Sequence, residues 1–253
     1  MVFDIGLGWG TSIILCSLRL GVMLSLTPLL SGFGLPRHIR VFLVLAFAVA
    51  LVSVLPLAKP PTAQTSLPFM LSALSEVATG ALLGFGAACA FAAFTFAGNL
   101  LDQQLGFGLA NVFDPTTKSQ SPLVASLFGT VAIVMFFTTD AHHALLRGFA
   151  FSLERQPLGS SILAAPPSIL AHQFGLIFSL GLMFAAPVLF CIFLIEVGLA
   201  VISRSLPQMN VFMISIPVKI ACGLLLLATL MPLLGPVFKR VFASIFLFWK
   251  TVL

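Results

Sequence analysis

The chain has 253 residues, of which 60% are apolar and only 8% are charged. Soluble domains carry about 25% charged residues. This composition, with a mean hydropathy of +1.17, therefore excludes an ordinary soluble protein and indicates a membrane protein. The formal net charge is +5, but the basic residues never form a run. Such spacing is typical of topology and headgroup charges, and we expect no nucleic-acid partner.

Six apolar segments are predicted to be helices, because backbone in lipid must satisfy its own hydrogen bonds and about 20 apolar residues span the hydrocarbon core. They cover residues 9–30, 41–57, 67–101, 122–139, 172–203 and 211–238. The predicted fold class is all-α: a polytopic membrane-associated protein with long, partly broken helices and hairpins, forming a single domain over residues 1–253. Basic residues divide almost evenly between the two sides of such an arrangement, so the positive-inside rule assigns no orientation.

Two of the predicted helices raise questions of length and continuity. The third, at residues 67–101, would measure about 52 Å as one helix. It must therefore project beyond the membrane, tilt strongly or fold into a hairpin. The sixth contains Pro217, at which we expect that it can break.

The segment at residues 140–170 begins with an amphipathic pattern that predicts an interfacial helix. Its apolar positions are Ala144, Leu145, Phe149 and Phe151, and its charged positions are Arg147, Glu154 and Arg155. Asp140 would lie at the start of this helix, where the helix dipole favours a negative charge.

The third predicted helix is rich in small residues. Gly80 and Gly84 lie four residues apart, a spacing that lets two helix backbones approach closely. The pattern predicts tight helix packing, either inside the chain or with another subunit.

Three of the ionisable residues within the apolar segments are candidates for a functional or buried role, namely Arg19, Glu76 and Glu196. A charge at the centre of a membrane helix costs about 2.5 to 3.5 kcal/mol on insertion scales, so such residues normally face protein or a water-filled path. Either a proton or ion relay, or a buried pair or subunit contact, would account for them.

Catalytic and metal-binding signatures are missing from the sequence. There is no HExxH, GxSxG or P-loop motif, and the four cysteines form no CxxC spacing. His142 and His143 follow Asp140, but adjacent histidines on a helix are expected to point in different directions, and no ligand follows one turn later. We predict a protein without catalytic residues, metal or cofactor.

Three stretches in fixed order carry a specific resemblance: GFGLANVFDPTTKSQSP, then TTDAHHALLRGFAFSLERQPLG, then ISRSLPQMNVFMISIPVKI. With the N-terminal RLGVMLSLTPLLSGFGLPRHIRVFLVLAFAVALVSVLP, they make almost the whole chain resemble the FliR family of flagellar type III export gates. The matching positions of the last stretch include Arg204, Pro207, Gln208, Asn210 and Pro217. Ala141 and Ser215 stand where the family often has glycine.

The resemblance implies a function that composition does not reveal. FliR-like proteins assemble with FliP and FliQ, alongside FlhB and FlhA, into a gate for unfolded flagellar subunits. We therefore expect such partners, and a multi-pass location in the bacterial inner membrane at the flagellar basal body. The related injectisome subunit, SctT, is the nearest alternative. An ion-coupled secondary transporter using Glu76 and Glu196 is another, but no internal repeat supports it.

By the same resemblance, the loop at residues 106–122 would be a plug that closes the pore. The residues assigned to it are Gly106, Phe107, Gly108, Leu109, Val112, Phe113, Asp114 and Pro115. Apolar side chains in a narrow passage exclude water and ions, while the glycines permit bending and Pro115 restricts Asp114 to extended conformations. An interfacial loop whose apolar residues contact lipid headgroups is the alternative.

Overall fold

The computed structural model describes residues 7–32, 34, 36–54, 66–107, 122–160, 165–205 and 211–253, and these residues form helices and no strands. The α-helices are α1 (Leu7–Leu26), α2 (Pro28–Ser31), α3 (Arg37–Val54), α4 (Ser66–Leu105), α5 (Leu123–Thr138), α6 (Ala141–Arg155), α7 (Pro167–Ser205), α8 (Val211–Leu230) and α9 (Gly235–Val252). The prediction of an all-α fold is confirmed.

Helix α1 ends four residues before the predicted boundary, at Leu26 instead of residue 30. Thr27 is extended, with φ −91° and ψ 148°, and Pro28 opens the short helix α2. A residue before proline avoids the helical region, whereas proline itself suits the first position of a helix. The Thr27-Pro28 step therefore divides the first predicted helix in two.

Helix α4 is one continuous helix of 40 residues, about 60 Å long at 1.5 Å per residue. The hairpin considered for this segment is therefore wrong. No proline follows Pro68 in the helix, and alanine and leucine, both strong helix formers, recur along it. The remaining explanations for its length are projection beyond the membrane and strong tilt.

Helices α5 and α6 are separated by a sharp bend of 73°. Asp140 lies at the bend in the left-handed conformation, with φ 57°. The helical part of the 140–170 segment ends at Arg155, and its inner face differs from the predicted one. Leu145 and Phe149 are buried as expected, but Phe151 is 38% exposed, because it lies two residues beyond Phe149 and points to another side of the helix.

The predicted break at Pro217 is wrong, because α8 continues through this proline to Leu230. A 3₁₀ turn at Met231–Leu234 interrupts the helix instead, with a proline in its first turn, and α9 follows. Pro232 cannot donate the hydrogen bond that would continue α8. The sixth predicted segment therefore corresponds to two helices, and the second extends well past residue 238.

The chain divides into two compact units. The first unit comprises Met1–Phe91, Met135–Phe174 and Phe242–Leu253, and the second comprises Ala92–Val134 and Gly175–Val241. The second unit has an aromatic centre formed by Phe94, Phe128, Phe184 and Phe238, of which Phe94 and Phe238 stack at 4.8 Å between ring centroids. The expectation of a single domain stays a prediction.

Five helical stretches among the described residues are long and apolar enough to cross a membrane, and the bent pair of α5 and α6 brings the number to six if it is one span. They differ in how much protein surrounds them. Along α3 most large side chains are exposed, whereas the part of α4 from Leu83 to Leu101 is mostly buried. Together with the sequence, this arrangement identifies a multi-pass membrane protein.

Candidate functional site

Two of the three candidate ionisable residues in the apolar segments form a buried pair in the first unit. The Nε of Arg19 on α1 donates to Oε2 of Glu76 on α4 at 2.5 Å, and its Nη2 donates to Oε1 at 3.1 Å. Both side chains are only 1% exposed. Paired, nearly parallel hydrogen bonds between guanidinium and carboxylate are among the strongest ionic contacts in proteins.

The remaining hydrogen bonds of this pair hold the end of α6. Arg19 donates from Nη1 to the carbonyl of Ser152 at 3.1 Å, and from Nη2 to the carbonyl of Gln156 at 3.0 Å. A cation at a helix C-terminus satisfies carbonyls that have no partner within the helix. Glu76 also accepts from the backbone N–H of Gly159 at 2.8 Å. One ion pair thus joins α1, α4, α6 and the turn after α6.

This geometry favours a buried pair over a proton or ion relay. A relay needs a group that can exchange protons along a polar path. Here both carboxylate oxygens of Glu76 accept hydrogen bonds from protein groups, and neither side chain is open to solvent. The arrangement is suited to fixing three helices in position.

The glycine face of α4 lies beside this pair and packs on α1. A Cβ added to Gly80 would collide with the backbone carbonyl of Arg19, and one added to Gly84 would lie 3.0 Å from the carbonyl oxygen of Met23. Glu76, Gly80 and Gly84 are spaced at four residues and share one helix face. The small residues therefore let α1 approach α4 closely, at the level where Arg19 meets Glu76.

Glu196 has a partner of its own in the second unit. Lys219 on α8 donates from Nζ to Oε1 of Glu196 on α7. The side chain of Glu196 is 38% exposed and that of Lys219 is 20% exposed, so this pair is more accessible to solvent than the Arg19–Glu76 pair. Lys219 lies within helix α8, inside the sixth predicted apolar segment, and was not included with the three ionisable residues predicted to be buried or functional.

Of the residues assigned to the plug, the structure describes Gly106 and Phe107. Gly106 follows α4 directly and has φ 84°, a conformation that glycine adopts without the steric cost other residues incur. Phe107 is half-buried. Gly108, Leu109, Val112, Phe113, Asp114 and Pro115 lie outside the described residues, and their role stays a prediction.

Asp102 is a functional candidate that sequence reasoning missed. Its carboxylate accepts from the backbone N–H groups of Val124 and Ala125, at 3.0 Å each. These groups open α5 and have no partner within the helix, and a negative charge is favoured there. Asp102 is only 5% exposed. It therefore ties the end of α4 to the start of α5, on either side of the loop at residues 106–122.

A sequence signal for this contact was available. Gly98 lies one turn before Asp102 on α4, and a Cβ at Gly98 would collide with the backbone of Ala125. A small residue allows close approach of a second helix, and an acid four positions later lies on the same face and can accept from its first N–H groups. This pattern near the end of an apolar helix therefore indicates a nearby helix start.

The two histidines at the bend do not point apart as expected. The ring centroids of His142 and His143 are 4.1 Å apart, and Nδ1 of His143 lies 3.5 Å from Oδ1 of Asp140. Potential ligand atoms of the three residues all lie within 4.8 Å of one another. The prediction that the two histidine rings point in different directions is therefore wrong, whereas the expectation that no metal binds stays a prediction.

The residues of the last matching stretch are only partly described. Arg204 is exposed in the last turn of α7, and Pro217 lies inside α8. Pro207, Gln208 and Asn210 lie outside the described residues. Neither Arg204 nor Pro217 is a hydrogen-bond partner of the Arg19–Glu76 pair.

Comparison with known proteins identifies relatives along almost the entire chain. The family model of bacterial export proteins, family 1, matches residues 11–245. The flagellar biosynthetic protein FliR of Bacillus subtilis is 31% identical over 238 residues, covering 91% of this chain and 90% of that protein. FliR of Escherichia coli is 28% identical over 230 residues, covering 90% and 87%. Yop proteins translocation protein T of Yersinia pestis is 35% identical over 155 residues, covering 60% and 59%.

Proposed function

The chain belongs to the bacterial export proteins, family 1, as a subunit of a type III export apparatus, and we propose that it is the FliR-type subunit of a flagellar export gate. In this role it forms part of the pore through which unfolded flagellar subunits cross the inner membrane. The observation that carries the proposal is the family match over residues 11–245, together with FliR relatives that cover about nine tenths of the chain.

The extent of similarity favours a flagellar system over an injectisome. The FliR of Bacillus subtilis covers 91% of this chain, whereas the Yersinia translocation protein covers 60%. Its 35% identity over that shorter stretch keeps an SctT-type subunit as the second candidate. Restoration of swimming in a flagellated bacterium that lacks its own FliR distinguishes the two. We expect the chain to restore swimming. If it instead restores secretion only in a bacterium whose injectisome lacks its SctT subunit, the alternative is supported.

Assembly with partner subunits is supported by the exposed apolar surface of the chain. Large apolar side chains on α3 and α7 are open, including Phe42 at 74%, Phe190 at 63% and Val201 at 63%. Exposed apolar side chains in such number are expected to be covered by lipid or by other proteins. We propose FliP-like and FliQ-like subunits as direct partners, with FlhB-like and FlhA-like proteins nearby. Mild detergent extraction should recover the chain together with them, and its recovery as a stable monomer would contradict the assignment.

We also propose that the loop at residues 106–122 closes the pore. The support is its apolar sequence, the left-handed Gly106 at its start, and the clamp by Asp102 that holds α4 to α5. A loop anchored at both ends can move as a flap while its flanking helices stay in place. Apolar residues at its centre would exclude water and ions until a substrate enters.

The plug is tested by substitutions within the loop that change polarity but keep its length. Val112→Ser with Phe113→Ser removes apolar surface, and the membrane containing the assembled complex should then leak small ions. Thr116→Ala with Thr117→Ala is the matched control in the same loop, and it should leave conductance at the wild-type level. Unchanged conductance in the serine variant would refute the plug without affecting the family assignment.

A further inference from the structure

A groove between α6 and α9 has features that the export function does not explain. It has a volume of about 290 Å³ and lies entirely within the first unit. Arg147, Gly148 and Phe151 line it from α6, and Phe246, Trp249 and Lys250 line it from α9. We refer to it as the α6–α9 groove.

The floor of the groove is aromatic and rigid. Trp249 is only 3% exposed, and its Nε1 donates to the carbonyl of Leu83 at 3.0 Å, which fixes the indole ring. Phe246 lies edge to face against this ring, with 5.8 Å between centroids. Gly148 has no side chain where a Cβ would collide with the indole. The glycine thus allows the ring to form the floor.

Two cations lie at the rim of this apolar floor. Arg147 and Lys250 are both exposed, and no ion pair among the described residues includes either of them. Neither Glu154 nor Arg155 lines the groove. The charged residues that line it, Arg147 and Lys250, are therefore both positive.

Helix-end effects account for only one of these cations. Lys250 lies in the last turn of α9, where a positive charge complements the helix dipole. Arg147 lies in the middle of α6, between Ala141 and Arg155, where the dipole gives no such benefit. The helix dipole therefore does not explain Arg147, and its exposed guanidinium is available to an anionic group at the groove.

We propose that the α6–α9 groove binds an anionic phospholipid. The headgroup phosphate would lie between Arg147 and Lys250, and the first part of an acyl chain would lie on Phe151, Phe246 and Trp249. Basic pockets between membrane helices are suited to anionic headgroups. The proposal requires a membrane-embedded chain and does not depend on the flagellar assignment.

A photoreactive lipid tests this site in the intact assembly. The complex, extracted in mild detergent, is reconstituted into phosphatidylcholine bilayers with increasing amounts of phosphatidylglycerol that carries a diazirine in one acyl chain. Phosphatidylcholine with the same photoreactive chain is the comparison. Labelled peptides are mapped by mass spectrometry. We expect peptides of α6 and α9 to be labelled at lower mole fractions of phosphatidylglycerol than of phosphatidylcholine.

Charge substitutions then identify the cations. Arg147→Gln with Lys250→Gln should shift half-maximal labelling by phosphatidylglycerol to higher mole fraction, by about fivefold for each cation removed. Lys239→Gln with Arg240→Gln is the matched control, because it removes the same charge from exposed positions of α9 that do not line the groove. It should leave labelling unchanged. Arg147→Lys with Lys250→Arg keeps the charge and should keep the preference, even if the glutamine variant assembles poorly.

Three results would overturn the proposal. The first is equal labelling of the groove peptides by the two lipids. The second is an equal loss of labelling in the Lys239 and Arg240 control, which would indicate general attraction to the membrane surface. The third is crosslinking of groove residues to an acidic segment of a partner protein with no lipid labelling, which would make the groove a protein contact.

Discussion

Arg19 is completely buried, and its position decides how three helices meet. Its guanidinium is satisfied by Glu76 and by carbonyls at the end of α6. Removing one partner of a buried ion pair leaves an uncompensated charge, which is far more costly than replacing both partners with apolar residues. The stability of the first unit should therefore depend on each member of the pair.

Glu76→Ala should destabilise the protein by about 3 to 5 kcal/mol, because Arg19 would remain charged and buried without its carboxylate. The midpoint of thermal unfolding of the purified complex measures the change. Arg19→Met with Glu76→Leu should recover much of the loss, since no charge remains buried. A double variant that is less stable than Glu76→Ala would contradict this account.

Gly80→Ala should weaken the contact between α1 and α4, because a Cβ at this position collides with the carbonyl of Arg19. Strain of this kind costs about 1 to 3 kcal/mol. Gly175→Ala is the control: no atom lies within 4 Å of its added Cβ, so the better helix propensity of alanine should leave stability equal or higher by up to about 1 kcal/mol. Gly80→Ala should lower the midpoint of thermal unfolding, whereas Gly175→Ala should leave it equal or raise it. Equal midpoints for the two variants would refute the close approach of α1 to α4 at Gly80.

At the scale of elements, the start of α5 depends on a side chain from α4. Asp102→Ala should cost about 1 to 3 kcal/mol, because the buried N–H groups of Val124 and Ala125 lose their acceptor. Hydrogen exchange of the first turn of α5 should become faster, while exchange in α6 stays the same. The clamp also flanks the proposed plug, so we expect a larger ion leak from the assembled gate.

The control for the clamp keeps its shape and one acceptor oxygen. Asp102→Asn should accept one of the two hydrogen bonds and should therefore fall between the wild type and the alanine variant in exchange rate. If Asp102→Ala leaves hydrogen exchange in the first turn of α5 unchanged, the carboxylate does not hold α5. The clamp would then no longer support the proposed plug.

At the scale of the whole molecule, the length of α4 exceeds the thickness of lipid. Met70 and Gln104 lie near its two ends and are both exposed, about 51 Å apart along the helix, whereas the hydrocarbon core is about 30 Å thick. In an assembled complex without native cysteines, Met70→Cys and Gln104→Cys should both react with a membrane-impermeant maleimide. Ala90→Cys, at a buried position, should stay unreactive.

Protection of both end positions in the assembled complex would mean that α4 lies within lipid or protein along its whole length. Reaction at both ends would instead support projection beyond the membrane.

The helical architecture and the family could be predicted from the sequence because both depend on local sequence features. Long apolar runs in lipid have to be helices, and the order of the three matching stretches predicted the family, which the match over residues 11–245 confirms. The same local reasoning failed at Pro217. It could not show that the helix tolerates this proline and is interrupted at Met231–Leu234 instead, because that choice depends on how the surrounding helices satisfy the freed backbone groups.

The helical class, the family and the charges Arg19, Glu76 and Glu196 within apolar segments follow from the amino-acid sequence alone. The partners of these charges, Glu76 for Arg19 and Lys219 for Glu196, are known only from the folded chain, as is the contact of Asp102 with the start of α5. These contacts join residues 22 to 57 positions apart in the chain. No local periodicity encodes such pairings, because they depend on which helix faces meet and on how closely glycines allow them to approach.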